Sequence, residues 1–220
     1  MNSRDKILQR LRSVKNPFPS APDPVSRLEV TPLTGENAKS LTSRFILEAQ
    51  KLACDVHLAA DDLAAVQLIL SILEGENSVL TWDFNHIPCP ILESALHEAE
   101  ISVAAYDDAT ALFGITGAEA ALSATGSLVL VSGPGRHRTT SLLPRTHIAV
   151  ITQDQILPNM ESWLVTQREN EHKSFNQAAN INIVSGPSRT ADIAMELILG
   201  MHGPENLHII IISSGETLVG

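Results

Sequence analysis

The segment Leu207-His208-Ile209-Ile210-Ile211-Ile212 decides how this chain is expected to fold. Its four isoleucines are consecutive and β-branched, and Ser213-Ser214-Gly215 ends the run, which is typical of a strand buried on both faces. Leu128-Val129-Leu130-Val131 is a second run of this kind. Such strands predict a mostly parallel sheet with helices on both faces.

Helical and strand-like patterns alternate from residue 34 onward, which predicts one α/β domain over residues 34–220. The predicted strands are Asp55–Ala59, Ser78–Thr81, Ile101–Ala105, Ser127–Ser132, His147–Thr152, Ile181–Ser185 and Leu207–Ile212. The predicted helices lie near residues 34–52, 61–74, 88–99, 115–122 and 189–199.

Residues 1–33 are predicted to form a separate N-terminal arm. Basic residues and helically spaced apolar residues predict a short amphipathic helix over residues 1–15. Five prolines between Asn16 and Pro32 disfavour helix and predict an extended connector. The arm would either dock on a partner, close over the active face or remain a solvated leader.

The composition excludes several classes of protein. A net charge of −10 argues against binding to nucleic acid or to anionic membranes. No apolar run reaches the roughly 18 residues needed to cross a bilayer, so no membrane insertion is expected. The first residues contain no apolar core of a secretory signal, so we expect a cytoplasmic location.

Cys54 and Cys89 are the two cysteines of the chain, and they lack the C-x-x-C spacing. We therefore expect two reduced, packed thiols and no metal site. An iron–sulfur cluster takes four ligands, so this chain alone would hold none.

An acid-free window extends between Glu119 and Asp154, and it contains three arginines and two histidines. Two glycine clusters lie in the window, and their backbone amides are suited to cradling an anion. The predicted ligand-binding residues are Thr125, Gly126, Ser127, Gly133, Gly135, Arg136 and Arg138. The alternative is a glycine-rich loop with solvated arginines.

A second candidate site follows the predicted strand Ile181–Ser185. Ser188 would cap a helix whose N-terminus attracts anions. Gly186, Ser188, Arg189 and Thr190 are therefore predicted to bind the ligand. Asp192 and His202 are the candidate catalytic residues for proton transfer. Alternatively, Ser188 caps the helix without binding anything, Asp192 pairs with Arg189, and His202 is a hydrogen-bonded turn residue.

Five motifs, in this order and spacing, resemble the LUD-domain family from about residue 34 to the end. They are Gly114-Ile115-Thr116-Gly117-Ala118, Ala124-Thr125-Gly126-Ser127-Leu128, Ser141-Leu142-Leu143-Pro144-Arg145-Thr146-His147-Ile148, Gly186-Pro187-Ser188-Arg189-Thr190-Ala191-Asp192-Ile193 and Gly200-Met201-His202-Gly203-Pro204. The chain is similar to the small members of the family, which lack an iron–sulfur module.

The resemblance implies a fold similar to the sugar-phosphate isomerase and CoA-transferase group (NagB/RpiA/CoA-transferase-like). It also implies a role in oxidising L-lactate to pyruvate, with iron–sulfur lactate utilization proteins as partners that carry the electrons. The chain departs from the family in one motif, because Ser123-Ala124 stands where members commonly have an acidic residue. That departure weakens a mechanism through a covalent acyl-carboxylate intermediate.

Three hypotheses follow. In the first, the chain is a subunit of a lactate-oxidation system in which an arginine, Arg136, Arg138 or Arg189, binds the carboxylate of a small anionic ligand. In the second, it is a stand-alone enzyme acting on a sugar phosphate or an acyl-CoA. In the third, it is a noncatalytic regulatory or assembly module. In all three, residues 125–138 and 186–204 are expected to converge on one positively polarised pocket.

Overall fold

The computed structural model describes residues 3–13, 37–191 and 197–213. The helices are α1 (Ser3–Ser13), α2 (Ala38–Lys51), α3 (Asp62–Ile72), α4 (Leu92–Glu98), α5 (Met160–Glu169) and α6 (Lys173–Gln177). The strands are β1 (Asp55–Ala59), β2 (Ser78–Thr81), β3 (Ser102–Val103), β4 (Phe113–Thr116), β5 (Ala120–Leu122), β6 (Ser127–Ser132), β7 (Thr146–Thr152), β8 (Ile156–Leu157), β9 (Asn180–Val184), β10 (Arg189–Ala191), β11 (Leu197–Leu199) and β12 (Asn206–Ile212). Short 3₁₀ turns lie at Phe84–His86, Arg138–Ser141 and Gln153–Gln155.

The N-terminal helix predicted from the sequence is confirmed as α1, none of whose residues is buried. The proline-rich connector and the boundary between residues 33 and 34 lie outside the described residues. Among the helices that the structure describes, none combines the length and the apolar character that a membrane span requires.

The main sheet has six strands in the order β1-β12-β7-β4-β2-β3, and every neighbouring pair is parallel. The interior strand β12, between β1 and β7, contains the isoleucine run, and Ile209, Ile210 and Ile211 are buried. They share one core with Phe45 of α2 and Ile69 of α3. The predicted α/β class with a mostly parallel sheet is therefore confirmed.

A second sheet corrects one expectation. Leu128–Val131 does not belong to the parallel sheet, because β6 lies in a four-stranded sheet of order β8-β5-β6-β9 and pairs antiparallel with β5 and β9. Leu128 and Leu130 join the main core, whereas Val129 and Val131 pack with Trp163 of α5. A strand covered on both faces has the same apolar pattern whichever way its neighbours run, so the pattern could not indicate the pairing.

The helix predicted over residues 115–122 is wrong, because this segment contains the end of β4 and all of β5. Alanines favour helix locally, but Ala120 and Ala121 are buried within the second sheet. At Gly117 the backbone lies so close to the next segment that a Cβ would be 2.2 Å from the carbonyl oxygen of His86. Tertiary packing thus overrides local helix propensity.

The helix predicted over residues 189–199 is also wrong. Arg189–Ala191 and Leu197–Leu199 pair as an antiparallel hairpin, β10 with β11. Ser188 therefore caps no helix, and the argument for an anion site at a helix N-terminus no longer applies. The segment is short, and short apolar runs do not distinguish helix from strand. Residues 192–196, which include Asp192, lie outside the described residues.

Both cysteines are free and buried. Burial raises the pKa of the Cys54 thiol to about 11, and it raises the pKa of the Cys89 thiol to about 11 as well. The two thiols are therefore protonated at neutral pH and are poor nucleophiles.

Candidate anion-binding site

Arg136 lies in a tight turn after β6, at the carboxyl end of β2 in the main sheet. Gly133 and Arg136 exchange two backbone hydrogen bonds, of 3.1 and 3.0 Å. The turn is attached to the main sheet because the amide of Asp83, just beyond β2, donates to the carbonyl oxygen of Gly135 at 2.7 Å. These contacts hold the backbone that carries the guanidinium group.

A polar cavity of about 420 Å³, which we name the Arg136 pocket, opens beside this turn. It is lined by His86, Glu119, Arg136, Gln167, Asn170, Lys173, Ser174 and Gln177. Arg136 is half-buried and Lys173 is exposed, so the pocket has one sheltered and one accessible positive charge. Such a pair suits a small carboxylate or phosphate.

The acidic member of the pocket, Glu119, is held by two neutral donors. Gln167 Nε2 donates to Glu119 Oε1 at 3.1 Å, and Ser174 Oγ donates to the same oxygen. Glu119 precedes β5, whereas Gln167 and Ser174 lie in α5 and α6. The second sheet and its helices thereby form one wall of the Arg136 pocket.

Two buried atoms of the Arg136 pocket lack a hydrogen-bond partner among the described residues. They are the donor Arg136 Nε and the acceptor Gln167 Oε1. Arg136 also forms no ion pair within the described part of the chain. Because buried polar groups are nearly always hydrogen bonded, a ligand oxygen beside Arg136 would supply the missing hydrogen-bond acceptor for its guanidinium group.

The other predicted residues lie in two further pockets. Gly133, Arg136 and Arg138 line a second pocket of about 390 Å³, which Glu119 does not line. Gly186, Ser188 and His202 line a third pocket of about 280 Å³. Residues 186–188 and 202–204 thus lie together, but none of them lines a pocket that contains Arg136 or Arg138. Contrary to the prediction from the sequence, residues 125–138 and 186–204 therefore do not converge on one pocket.

The segment Thr125-Gly126-Ser127 lies at the opposite end of β6 from Arg136. Ser127 Oγ is 2.8 Å from Ser185 Oγ. Gly126 has a φ of +65°, and a Cβ there would be 2.3 Å from the backbone nitrogen of Ala49 in α2. The length of β6 therefore separates residues 125–127 from residues 133–138, and close packing against α2 explains the glycine.

Arg189 and Thr190 lie in β10 and line none of the three pockets. Arg189 is exposed, and its Nη2 donates to the carbonyl oxygen of Leu52 at 2.9 Å. Thr190 is paired with Ile198 in the hairpin.

His147 lines the third pocket, and its side chain is only 1% exposed. Its Nε2 lies 2.8 Å from Thr116 Oγ1. Burial lowers the pKa of the imidazole to about 4, so His147 is neutral at physiological pH.

Sequence reasoning did not assign Glu119, Lys173 or Asn180 to a binding site. Glu119 offered one signal, since it is the acidic residue that begins the acid-free window. Lys173 and Asn180 offered none, because only the folding of α5, α6 and β9 against β6 brings them near Arg136.

Several proteins are similar to this chain in sequence. A protein called lactate utilization protein C from Geobacillus sp. (strain WCH70) is 31% identical over 188 residues, which cover 76% of this chain and 78% of that protein. Proteins of the same name from Bacillus subtilis (strain 168) and Halalkalibacterium halodurans are 34% and 32% identical. These two alignments cover 63% of this chain and 57% and 64% of the relatives, respectively.

The fold is similar to the crystal structure of a DUF162 family protein from Deinococcus radiodurans, with a TM-score of 0.59 and 19% sequence identity. The match covers 81% of this chain and 99% of that one. The model of the LUD domain matches residues 42–212, which include every strand that the structure describes and all three pockets. This chain therefore belongs to the LUD domain family.

Proposed function

We propose that this chain is a subunit of an iron–sulfur-dependent system that oxidises L-lactate to pyruvate, and that it binds the substrate carboxylate in the Arg136 pocket. One observation carries the proposal: Arg136 is half-buried, has no ion pair among the described residues and has an unpartnered buried Nε. The names of the relatives supply the metabolic context.

The other groups of the Arg136 pocket suit a 2-hydroxy acid. Lys173 would add a second positive charge to the carboxylate, and the carboxylate of Glu119 would accept a hydrogen bond from the 2-hydroxyl group. His202, a sequence-based candidate for proton transfer, lines a different pocket. In this proposal Glu119 takes the place of His202 as the partner of the reacting hydroxyl, and His86 lines the same pocket.

Oxidation of L-lactate to pyruvate releases two electrons and two protons. The chain has two cysteines, fewer than the four ligands that iron–sulfur clusters take. We therefore assign the electrons to iron–sulfur lactate utilization proteins that act as partners. The task of this chain is to bind and orient the small anion.

Isothermal titration calorimetry with L-lactate and pyruvate tests the binding step. We expect Arg136→Gln to weaken L-lactate binding at least about tenfold, which corresponds to ~1.4 kcal/mol, because a sheltered, charge-assisted hydrogen bond is lost. Arg44→Gln is the matched control, since Arg44 is exposed on α2 and lines none of the three pockets. Equal affinities of wild type and Arg136→Gln would refute the proposed site.

A further inference from the structure

One strand, β9, and one 3₁₀ turn, Arg138–Ser141, contribute residues to both the second and the third pocket, so the two pockets lie side by side. We name the two pockets together the β9 groove and each pocket one half of it. Asn180 lines the second pocket and Asn182 lines the third. Alternate residues of a strand project from the same face, about 7 Å apart. On the other wall, Arg138 lines the second pocket and Ser141 the third, and they are the first and last residues of one 3₁₀ turn.

The half of the groove around Arg138 is positively charged. Arg136 and Arg138 line it, together with His137 and the backbone of Gly133, and no acidic residue is among its lining residues. The Oδ1 atom of Asn180 is buried and has no hydrogen-bond partner in the described part of the chain. This half therefore offers donors to an anionic group and an acceptor to an adjoining hydroxyl.

The other half of the groove, which we name the uncharged half, contains no permanently charged side chain. None of its lining residues is Lys, Arg, Asp or Glu, and burial holds the pKa of the His147 imidazole at about 4. Apolar walls come from Leu142, Ile183, Val184 and Leu207. Hydrogen-bonding side chains come from Asn182, His147, Ser188 and His202.

This mixture of groups favours one class of ligand. A heteroaromatic ring presents apolar faces and polar edges, as the uncharged half requires. A sugar presents hydroxyl groups on most sides, and an alkyl chain presents none. The two halves measure about 390 and 280 Å³, which suits an anionic group joined to a ring by a short linker.

We propose that the β9 groove binds a nucleotide, with its phosphate at Arg138, its ribose hydroxyls beside Asn180 and its base in the uncharged half. This site is separate from the L-lactate site and does not rest on it. Arg136 lines both the second pocket and the Arg136 pocket, but Arg138 and Asn182 do not line the Arg136 pocket.

Calorimetric titration with AMP, UMP and FMN, and with adenosine, uridine, riboflavin and inorganic phosphate, tests the assignment. We expect at least one nucleotide to bind with a Kd below about 1 mM and at least about tenfold more tightly than its nucleoside or phosphate alone. Arg138→Gln should reduce nucleotide affinity to that of the nucleoside. Asn182→Leu should weaken the binding of the nucleotide and of its nucleoside alike.

Three controls separate this result from folding defects and from the lactate site. Arg44→Gln should leave nucleotide binding unchanged, and Arg138→Gln should bind L-lactate as the wild type does. In the wild type, the nucleotide should shift the imidazole resonances of His147 and His202 in NMR spectra. The proposal is overturned if no nucleotide binds, if phosphate alone binds as tightly as the nucleotides, or if Arg138→Gln leaves nucleotide affinity unchanged.

Discussion

At the scale of single residues, burial determines the chemistry of His147. The side chain is 1% exposed, and its hydrogen bond to Thr116 Oγ1 lies within the protein interior. A protonated imidazole there would lose its hydration, and the described residues provide no acidic partner to compensate for that loss. The neutral form is therefore favoured. The same burial keeps His147 uncharged where it lines the β9 groove.

His147 should make folding stability depend on pH. Its pKa is about 4 in the folded protein and 6.5 when exposed, so the unfolded state binds the proton first as pH falls. The stabilisation is complete above pH 6.5 and decreases by roughly 3 kcal/mol toward pH 4. Urea unfolding at pH 7.5, 5.5 and 4.5 measures this loss.

His147→Gln should flatten that pH dependence, because glutamine can still bond to Thr116 and does not titrate. His208→Gln is the matched control. Burial also lowers the pKa of His208, but that residue is only half-buried and should account for less of the slope. If His147→Gln loses stability with acid as steeply as the wild type, His147 is not the titrating group.

At the scale of elements, Gly114 determines how closely the 3₁₀ turn Arg138–Ser141 approaches β4. A Cβ at Gly114 would lie 2.0 Å from the carbonyl oxygen of Thr140 and 2.9 Å from Pro144 Cγ. The turn forms a wall of the β9 groove, so this contact also positions Arg138. A glycine here permits close approach of two backbones.

We expect Gly114→Ala to reduce the free energy of unfolding by about 1–3 kcal/mol, because the turn must move away from β4. Gly133→Ala is the matched control, since a Cβ there would meet only Arg136 Nη2, at 3.5 Å, among the nearby side chains. Chemical denaturation of both variants measures the difference. A Gly114→Ala protein as stable as Gly133→Ala would contradict the proposed backbone contact.

The elements that sequence reasoning identified correctly are those whose residues form one strongly patterned run. Asp55–Ala59 and Ser78–Thr81 are strands with the predicted bounds, and β12 differs from its prediction by one residue. Residues 115–122 and 189–199 were assigned wrongly, because strand pairing outweighs their helix-forming composition. The helix α5 was not predicted, although Trp163 anchors it to the second sheet.

At the scale of the whole molecule, the proposed function depends on partners. We expect the purified chain to oxidise no L-lactate with an artificial electron acceptor, because two cysteines are too few to hold an iron–sulfur cluster. Addition of the iron–sulfur proteins that co-purify with it from its native host should restore pyruvate formation, measured by chromatography. Arg136→Gln in the reconstituted system should lower that rate, whereas Arg44→Gln should not.

Two results would contradict the partner-dependent role. Turnover of L-lactate by the chain alone would remove the need for partners. Turnover of a sugar phosphate or an acyl-CoA by the chain alone would favour the stand-alone enzyme. In either case Arg136→Gln still tests whether the anion binds in the Arg136 pocket.

The sequence by itself determined the α/β class, most strands, the LUD-domain resemblance and the position of Arg136 in an acid-free window. These features are local, because hydrophobic periodicity and charge patterning are read along the chain. Only the tertiary structure decided that β6 belongs to a second sheet, and that Arg136 faces Glu119 and Lys173 across one pocket while His202 lines another. Strand pairing and packing between distant segments set those positions, and a buried strand has the same apolar pattern whichever sheet it joins.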